Sequence, residues 1–291
     1  MHWKKKIRLT PLDVILMTLL AAAALYCVHR VRVDLQYKWQ WGAIAQYLVR
    51  LDAEGWKTGS LMQGFLTTIK LSLWATALAT VLGTFMGLLR ISRGRFERLL
   101  AGTYVETVRN LPPLVLVFIV YFFVGDRIMA YFDMEQLVRS TSPGMQKTLA
   151  FFLTTPSRLS GFLAGLTTLV LYEAAYITEI VRAGIQSIER GQWEAARALG
   201  LTRFQQLRFV IMPQAFQRII PPLGGQLIST IKDSAIVSVI SIPELTFQGS
   251  ELMSATYLTF EVWITVMALY FVLTFSCSLG IRHLEKIHHS Y

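Results

Sequence analysis

The sequence predicts an all-α membrane protein, a polytopic helix bundle with about six transmembrane helices and both termini cytoplasmic. Three observations lead there. Of 291 residues, 54% are hydrophobic and only 16% are charged, whereas about a quarter of a soluble globular domain is charged. The mean hydropathy is +0.47. The apolar residues gather into runs, and about 20 such residues cross about 30 Å of hydrocarbon as a helix. A disordered chain is excluded, because such chains are poor in apolar and aromatic residues. An ordinary cytosolic enzyme has no use for this apolar excess.

Six runs follow in order. Residues 12–28 are short but nearly uncharged, and 61–89 carry only Lys70. Residues 115–124 are strongly apolar, and that run extends backwards through Leu111. Residues 149–180 form a long run with Glu173 and Glu179 late in it. Residues 219–242 are weaker and contain Lys232 and Asp233, while 262–281 are free of charge. The first run has the basic start (Lys4, Lys5, Lys6, Arg8) and the alanine tract (21–24) of a signal peptide. Tyr26 opposes a lipoprotein site at Cys27, where a small residue should precede the cysteine. More spans follow, so an uncleaved first helix is the better reading.

The formal charge is +10, from 28 Lys and Arg against 18 Asp and Glu. With the N-terminus inside and sides alternating, the inside segments are 1–12, 90–103, 182–218 and 282–291. They hold 16 Lys and Arg, against 8 in the outside segments 30–57, 126–147 and 243–257. The positive-inside rule counts those residues and favours this orientation. Nucleic acid as a partner lacks support: there is no basic stripe interleaved with aromatics, no zinc-finger spacing and no other recognised module. Trp39, Trp41 and Trp56 are expected at the outer interface, where Trp is enriched. Cys27 and Cys277 lack metal-ligand or disulfide spacing and read as buried small hydrophobes. His283, His288 and His289 do not form His-Glu-x-x-His and read as a solvated, weakly basic tail; no metal site is expected.

The most informative stretch is 191–213, GQWEAARALGLTRFQQLRFVIMP, in the longest inside segment. Residues 192–199 are good helix formers, with Ala195, Ala196 and Ala198 offering small surfaces. Gly200 suits the position after a helix end, where a positive φ is often needed. Thr202 with Gln205 three residues on is a capping-box pattern. Pro213 closes or kinks the second helix, since proline cannot donate the backbone bond. The product is a helix, a tight turn and a helix, projecting as a knob.

Glu194-Ala195-Ala196, three residues, Gly200, nine residues, then Val210-Ile211-Met212-Pro213 resembles the EAA motif of permease subunits of ABC importers. Val210 and Met212 replace the usual Ile and Leu. A second Glu-Ala-Ala, at Glu173, lacks the spaced glycine and looks like a chance repeat. The residues 67–72 (TTIKLS), Gly83, Gly87 and Arg90 resemble the opening of the polar amino acid branch. Arg109-Asn110-Leu111-Pro112-Pro113 resembles that branch's Arg-Gly-Thr-Pro stretch, with Asn110 and Leu111 as departures. Tyr176-Ile177-Thr178-Glu179, Arg182, Gln192, Pro213-Gln214, Pro221-Pro222 and Lys232-Asp233-Ser234 continue the match, which covers roughly 64–282.

The resemblance implies an inner-membrane permease subunit that works by alternating access. The expected division is an extension at 1–60, a transporter domain at 61–282 and a cytoplasmic tail at 283–291. Such subunits pair with a second copy or a paralogue and take two ATPase subunits on the cytoplasmic side. They receive substrate from a periplasmic or lipid-anchored amino acid-binding protein. Glu194, Ala195, Ala196, Gly200 and Pro213 would form the coupling segment seated on the ATPase. The chain lacks G-x-x-x-x-G-K-[ST], so no cofactor is expected in it and ATP is expected to be used by the partner.

Five residues are candidates for the substrate path: Arg109, Glu179, Lys232, Asp233 and Ser234. A charge inside the bilayer costs about 2.5–3.5 kcal/mol on insertion scales, so Lys232 and Asp233 should face a cavity or a partner. The two readings for them are a substrate path and structural pairing. Glu179 with Arg182, and Glu106 with Arg109, are spaced to pair along a helix. Glu179 or Arg109 could hold an amino acid's charged groups, or the pairs could be interface salt bridges. Pro221-Pro222 and Gly224-Gly225 should permit an irregular backbone. A gradient-driven secondary transporter is the rival, but no inverted repeat is seen. A membrane enzyme lacks any nucleophile–base or metal signature.

Overall fold

The computed structural model describes residues 10–34, 37–52, 55–125 and 140–288. Lys4, Lys5, Lys6, Arg8, residues 126–139 of the long outside loop and His289 lie outside the described residues, as do the side chains of Cys27 and His288. The chain divides into two compact units, Met1–Trp41 and Gly42–Tyr291. The first holds α1 (Pro11–Asp34). Thr10 and Asp13 cap its start reciprocally: Thr10 N donates to Asp13 Oδ2 at 2.8 Å, and Asp13 N donates to Thr10 Oγ1 at 3.3 Å. Trp39 and Trp41 stack at 5.9 Å.

From Gly42 on, the second unit holds the rest of α2 (Trp41–Leu48) and a hairpin of β1 (Val49–Asp52) and β2 (Gly55–Thr58), paired antiparallel with Val49 opposite Thr58. The sequence predicts external loop here; the stretch instead folds as a short helix and a hairpin. Gly55 sits at φ +110°, a turn conformation that side-chain-bearing residues avoid.

The bundle is built on α3 (Ser60–Arg90) and α7 (Leu159–Gln186). Between them come α4 (Arg95–Asn110), α5 (Pro113–Ile119) with a π-helical continuation Val120–Gly125, and α6 (Pro143–Phe152). Lipid offers no hydrophobic drive for helix association, so close packing of small residues must supply it. The buried residues of α3 are Leu61 and Leu71 together with a run of small ones three or four apart: Gly64, Thr68, Ser72, Ala75, Ala79, Gly83 and Gly87. A Cβ on Gly83 would sit 2.7 Å from Ile177 Cβ, and one on Gly87 2.8 Å from Val181 Cγ1. Backbone therefore meets side chain directly. Ala79, Ala174, Ile177, Val181, Ile185, Ile211, Ala215 and Ile219 form one core cluster there.

Ser60–Arg90, Pro156–Gln186 and Thr259–His283 are long and apolar enough to cross a membrane, and the α4–α5 pair passes only if its bend counts as one span. The bend is 115°. It corrects the expectation that the run at 115–124 extends backwards through Leu111. Leu111 precedes Pro112 and is extended at φ −88°, ψ 143°, because the proline ring disfavours a helical predecessor. The long run at 149–180 is likewise broken. α6 ends at Phe152, and a 3₁₀ turn Pro156–Arg158 precedes α7. Lys70 explains itself here: its Nζ donates to Ala150 O at 2.9 Å, at the carbonyl end of α6 where a cation is favoured.

After α7 come α8 (Arg190–Ala198), α9 (Met212–Asp233), α10 (Leu245–Thr256) and α11 (Thr259–His288). The prolines 221 and 222 lie inside α9, which stays helical; the expected irregularity comes later, as the 3₁₀ stretch Ser234–Ile240. Glu244 caps α10, accepting from Thr246 N and Phe247 N at 2.8 Å each. The same carboxylate takes Thr68 Oγ1 of α3 at 3.3 Å and Tyr270 OH of α11 at 2.8 Å. One fully buried acid thus joins three helices.

Candidate functional site

The segment from Glu189 to Pro213 follows α7 and folds as the spacing predicts. α8 ends in a Schellman turn: Leu201 N donates to Ala196 O at 3.3 Å and Gly200 N to Arg197 O at 2.9 Å. Gly200 has φ +73°. Nothing lies within 4 Å of where its Cβ would be, so the backbone angle alone requires glycine. Thr202 and Gln205 form the full capping box. Pro213 does not end the second helix. A π-helical stretch, Gln206–Ile211, runs into α9, which carries Pro213 as its second residue.

The frame around the turn is pinned. Gln206 Nε2 donates to Leu201 O at 2.6 Å, and Gln214 Nε2 to Gln192 Oε1 at 3.1 Å. The Arg218 guanidinium donates to Ser187 O. Arg203 lies over the Trp193 ring at 4.0 Å. Burial, then repulsion by Arg93 and Arg197, holds the Arg203 pKa below its ordinary value. Ala196 is buried, whereas Glu194, Ala195 and Ala198 face outward. Leu199 is 78% exposed and Phe204 71% exposed. Among the described residues Glu194 meets the exposed Arg190, at 3.0 Å. Such a pair is worth at most about 0.5 kcal/mol, so Glu194 is available to a stronger partner.

The charged residues deeper in the bundle divide into two groups. Glu179 and Arg182 pair as expected, with Arg182 Nη2 at 2.7 Å and Nε at 2.9 Å from Oε2. The other Glu179 oxygen lies 3.1 Å from Arg90 Nε, an ion contact between α7 and α3. Glu106 corrects the sequence expectation: it meets Arg90 at 3.2 Å rather than Arg109. Arg109 instead lies 5.4 Å over the Tyr176 ring. The spacing along α4 permitted a pair, but Arg90 offers Glu106 a second charge from the neighbouring helix.

The second group is Glu173, Gln226, Thr230 and Asp233, between α7 and α9. Gln226 Nε2 donates to Glu173 Oε2 at 2.5 Å, and the carboxyl also faces Thr230 and Asp233. Tyr172 and Tyr176 touch at their hydroxyls, 3.2 Å apart, and Tyr172 faces Asp233. Lys232, Asp233 and Ser234 meet different surroundings. Lys232 is exposed, Asp233 turns to Glu173, and Ser234 is buried, donating to Ile231 O at 2.7 Å. Glu173 is the residue the sequence reading missed. Its signal is a carboxylate late in a strongly apolar run.

Comparison with known proteins agrees with this geometry. Residues 79–286 match the family model of the binding-protein-dependent transport system inner membrane component. The "Probable glutamine ABC transporter permease protein GlnM" of Bacillus subtilis (strain 168) is 36% identical over 77% of this chain and 91% of its own length. The "Glutamate/aspartate import permease protein GltJ" of Escherichia coli (strain K12) is 31% identical over 85% and 94%. A solved structure described as an amino acid ABC transporter with histidines is 32% identical, with a TM-score of 0.66, over 86% of this chain and 99% of that one. The knob, the stripe of small residues beneath it and the matched length make one conclusion: the chain belongs to the family of binding-protein-dependent transport system inner membrane components.

Proposed function

We propose that this chain is the membrane subunit of an ATP-driven importer for polar amino acids, with glutamine and the acidic amino acids as the first substrates to test. The observation that carries the reading is the exposed turn at Leu199–Phe204, held on a rigid frame. Its apolar tip fits a groove in a partner, and its frame is continuous with α7 and α9. Force applied at the tip therefore reaches the α7–α9 contact. That contact holds Glu173, Gln226 and Asp233, polar groups that a shift of α9 against α7 would uncover or close. Alternating access in this form needs no chemistry in the chain.

In this reading Glu194, Ala195, Ala196, Gly200 and Pro213 shape the coupling segment. Asp233 belongs to the substrate path. Glu179 and Arg109 already have protein partners and serve the helix contacts. ATP is used by two ATPase subunits in the cytoplasm. A second copy or paralogue completes the pathway in the inner membrane, and a periplasmic or lipid-anchored binding protein delivers substrate. The names of the relatives, glutamine and glutamate/aspartate permeases, support the substrate class.

Co-expression with an ATPase subunit, copurification and uptake of labelled glutamine and glutamate into proteoliposomes test the proposal. Uptake should require ATP inside the ATPase compartment and the binding protein outside. Uptake driven by a proton or sodium gradient without ATP would support the secondary-transporter rival. Absence of any copurifying ATPase would end the importer reading.

A further inference from the structure

A pocket of about 400 Å³ opens where the end of α3, the start of α4 and the end of α7 meet the coupling segment. Arg90, Ser92, Arg98, Gln186, Trp193 and Arg203 line it. Three of these six are cations. Arg93 and Arg197 stand near enough to Arg203 to repel its charge. Among the described residues neither Arg98 nor Arg203 has a carboxylate partner. Arg90 spends two nitrogens on Glu106 and Glu179, and its buried Nη1 has no hydrogen-bond partner among the described residues. The stack on Trp193 uses the face of the Arg203 guanidinium and leaves its edge donors to a ligand. A crowd of like charges with unspent donors is a site for an anion.

The neighbourhood selects which anion. On α4, in the order Arg95-Phe96-Glu97-Arg98-Leu99, Phe96 and Leu99 are 76% and 69% exposed and each follows an arginine. Exposed apolar side chains interleaved with arginines fit the boundary between headgroups and acyl chains. Basic pockets between membrane helices suit phosphate headgroups. We propose that this pocket binds the phosphate headgroup of an anionic phospholipid, held by Arg98 and Arg203, with Phe96 and Leu99 against its acyl chains. Because Arg203 belongs to the coupling segment and Arg98 to α4, a bound headgroup ties that segment to the bundle.

Native mass spectrometry of the detergent-solubilised full chain tests this, using phosphatidylglycerol and phosphatidylcholine of identical acyl chains. Phosphatidylglycerol should bind saturably and about tenfold tighter, the scale of one charge-assisted hydrogen bond. Arg98→Gln and Arg203→Gln should each remove most of that preference. Arg208→Gln, an exposed arginine that does not line the pocket, should keep it. Equal binding of the two lipids by the unaltered chain overturns the proposal, and that comparison stands even if a variant fails to fold. So does an unchanged preference in both pocket variants. Displacement of the lipid by an equal concentration of inorganic phosphate overturns the lipid assignment.

Discussion

Gln226 on α9 donates to the buried Glu173 carboxylate on α7 at 2.5 Å. Both side chains lie in the contact between the two helices that flank the coupling segment. Glu173→Ala should destabilise the bundle by about 0.5–1.5 kcal/mol, because it removes the acceptor of the half-buried Gln226 amide. Glu173→Gln keeps an acceptor of similar shape and should lose less. Thermal unfolding of the two purified variants in one detergent checks this. Equal midpoints for Ala and Gln would show that the hydrogen bond does not hold the contact.

Glu179 faces a different test. Arg182 donates twice to Glu179 Oε2, and Arg90 Nε lies 3.1 Å from Glu179 Oε1 as an ion contact. A substrate amine would have to displace one of them. Glu179→Gln leaves that cluster with two arginines and only Glu106 in opposition. The expected result is a lower unfolding midpoint and slower uptake, with substrate affinity changed less than about twofold, or 0.4 kcal/mol. A tenfold loss of affinity at an unchanged midpoint would instead place Glu179 at the substrate.

Asp233 is where uptake itself should respond. It faces Glu173 from the end of α9 and is not fully covered. Asp233→Asn should reduce uptake about tenfold or more while copurification with the ATPase persists. If assembly and uptake are both unchanged, Asp233 has no part in the path.

What the sequence disclosed, and what it withheld, follows the range of the interactions. The turn at Gly200 and the capping box at Thr202–Gln205 depend on neighbours in the chain, so spacing alone revealed them. The apolar runs revealed the helices at 60–90 and 259–283 for the same reason. The Glu106–Arg109 expectation failed because Arg90 comes from another helix, 16 residues away in sequence. The Glu173–Gln226 and Glu244–Thr68 bonds span 53 and 176 residues, and no local pattern carries them. The bend at Leu111–Pro112 was legible in principle, since two prolines in a row oppose a straight helix. Apolar content outweighed that signal.

The packing of α3 on α7 offers a graded prediction. Gly83→Ala places a Cβ 2.7 Å from Ile177 Cβ, closer than such atoms approach. Overpacking of this kind costs about 1–3 kcal/mol. Gly161→Ala, on the same α7 but with nothing within 4 Å, is the control and should stay within about 0.5 kcal/mol of the parent. Detergent-solubilised yield and unfolding midpoint report both. A Gly83 variant as stable as the Gly161 variant would mean that the helices part without cost.

Gly200 separates folding from coupling. A left-handed backbone costs a side-chain-bearing residue about 1–2 kcal/mol, and a β-branched one most. Asparagine tolerates this region better than other residues. Because the position is exposed and uncrowded, the helices of the bundle do not depend on it. Gly200→Val should insert in the membrane normally and lose stimulation of the partner's ATPase activity. Gly200→Asn should retain most of that stimulation. The decisive measurement is ATPase rate with and without loaded binding protein in matched proteoliposomes. Equal stimulation in the Val variant and the parent would remove the turn from the coupling pathway, whatever its geometry.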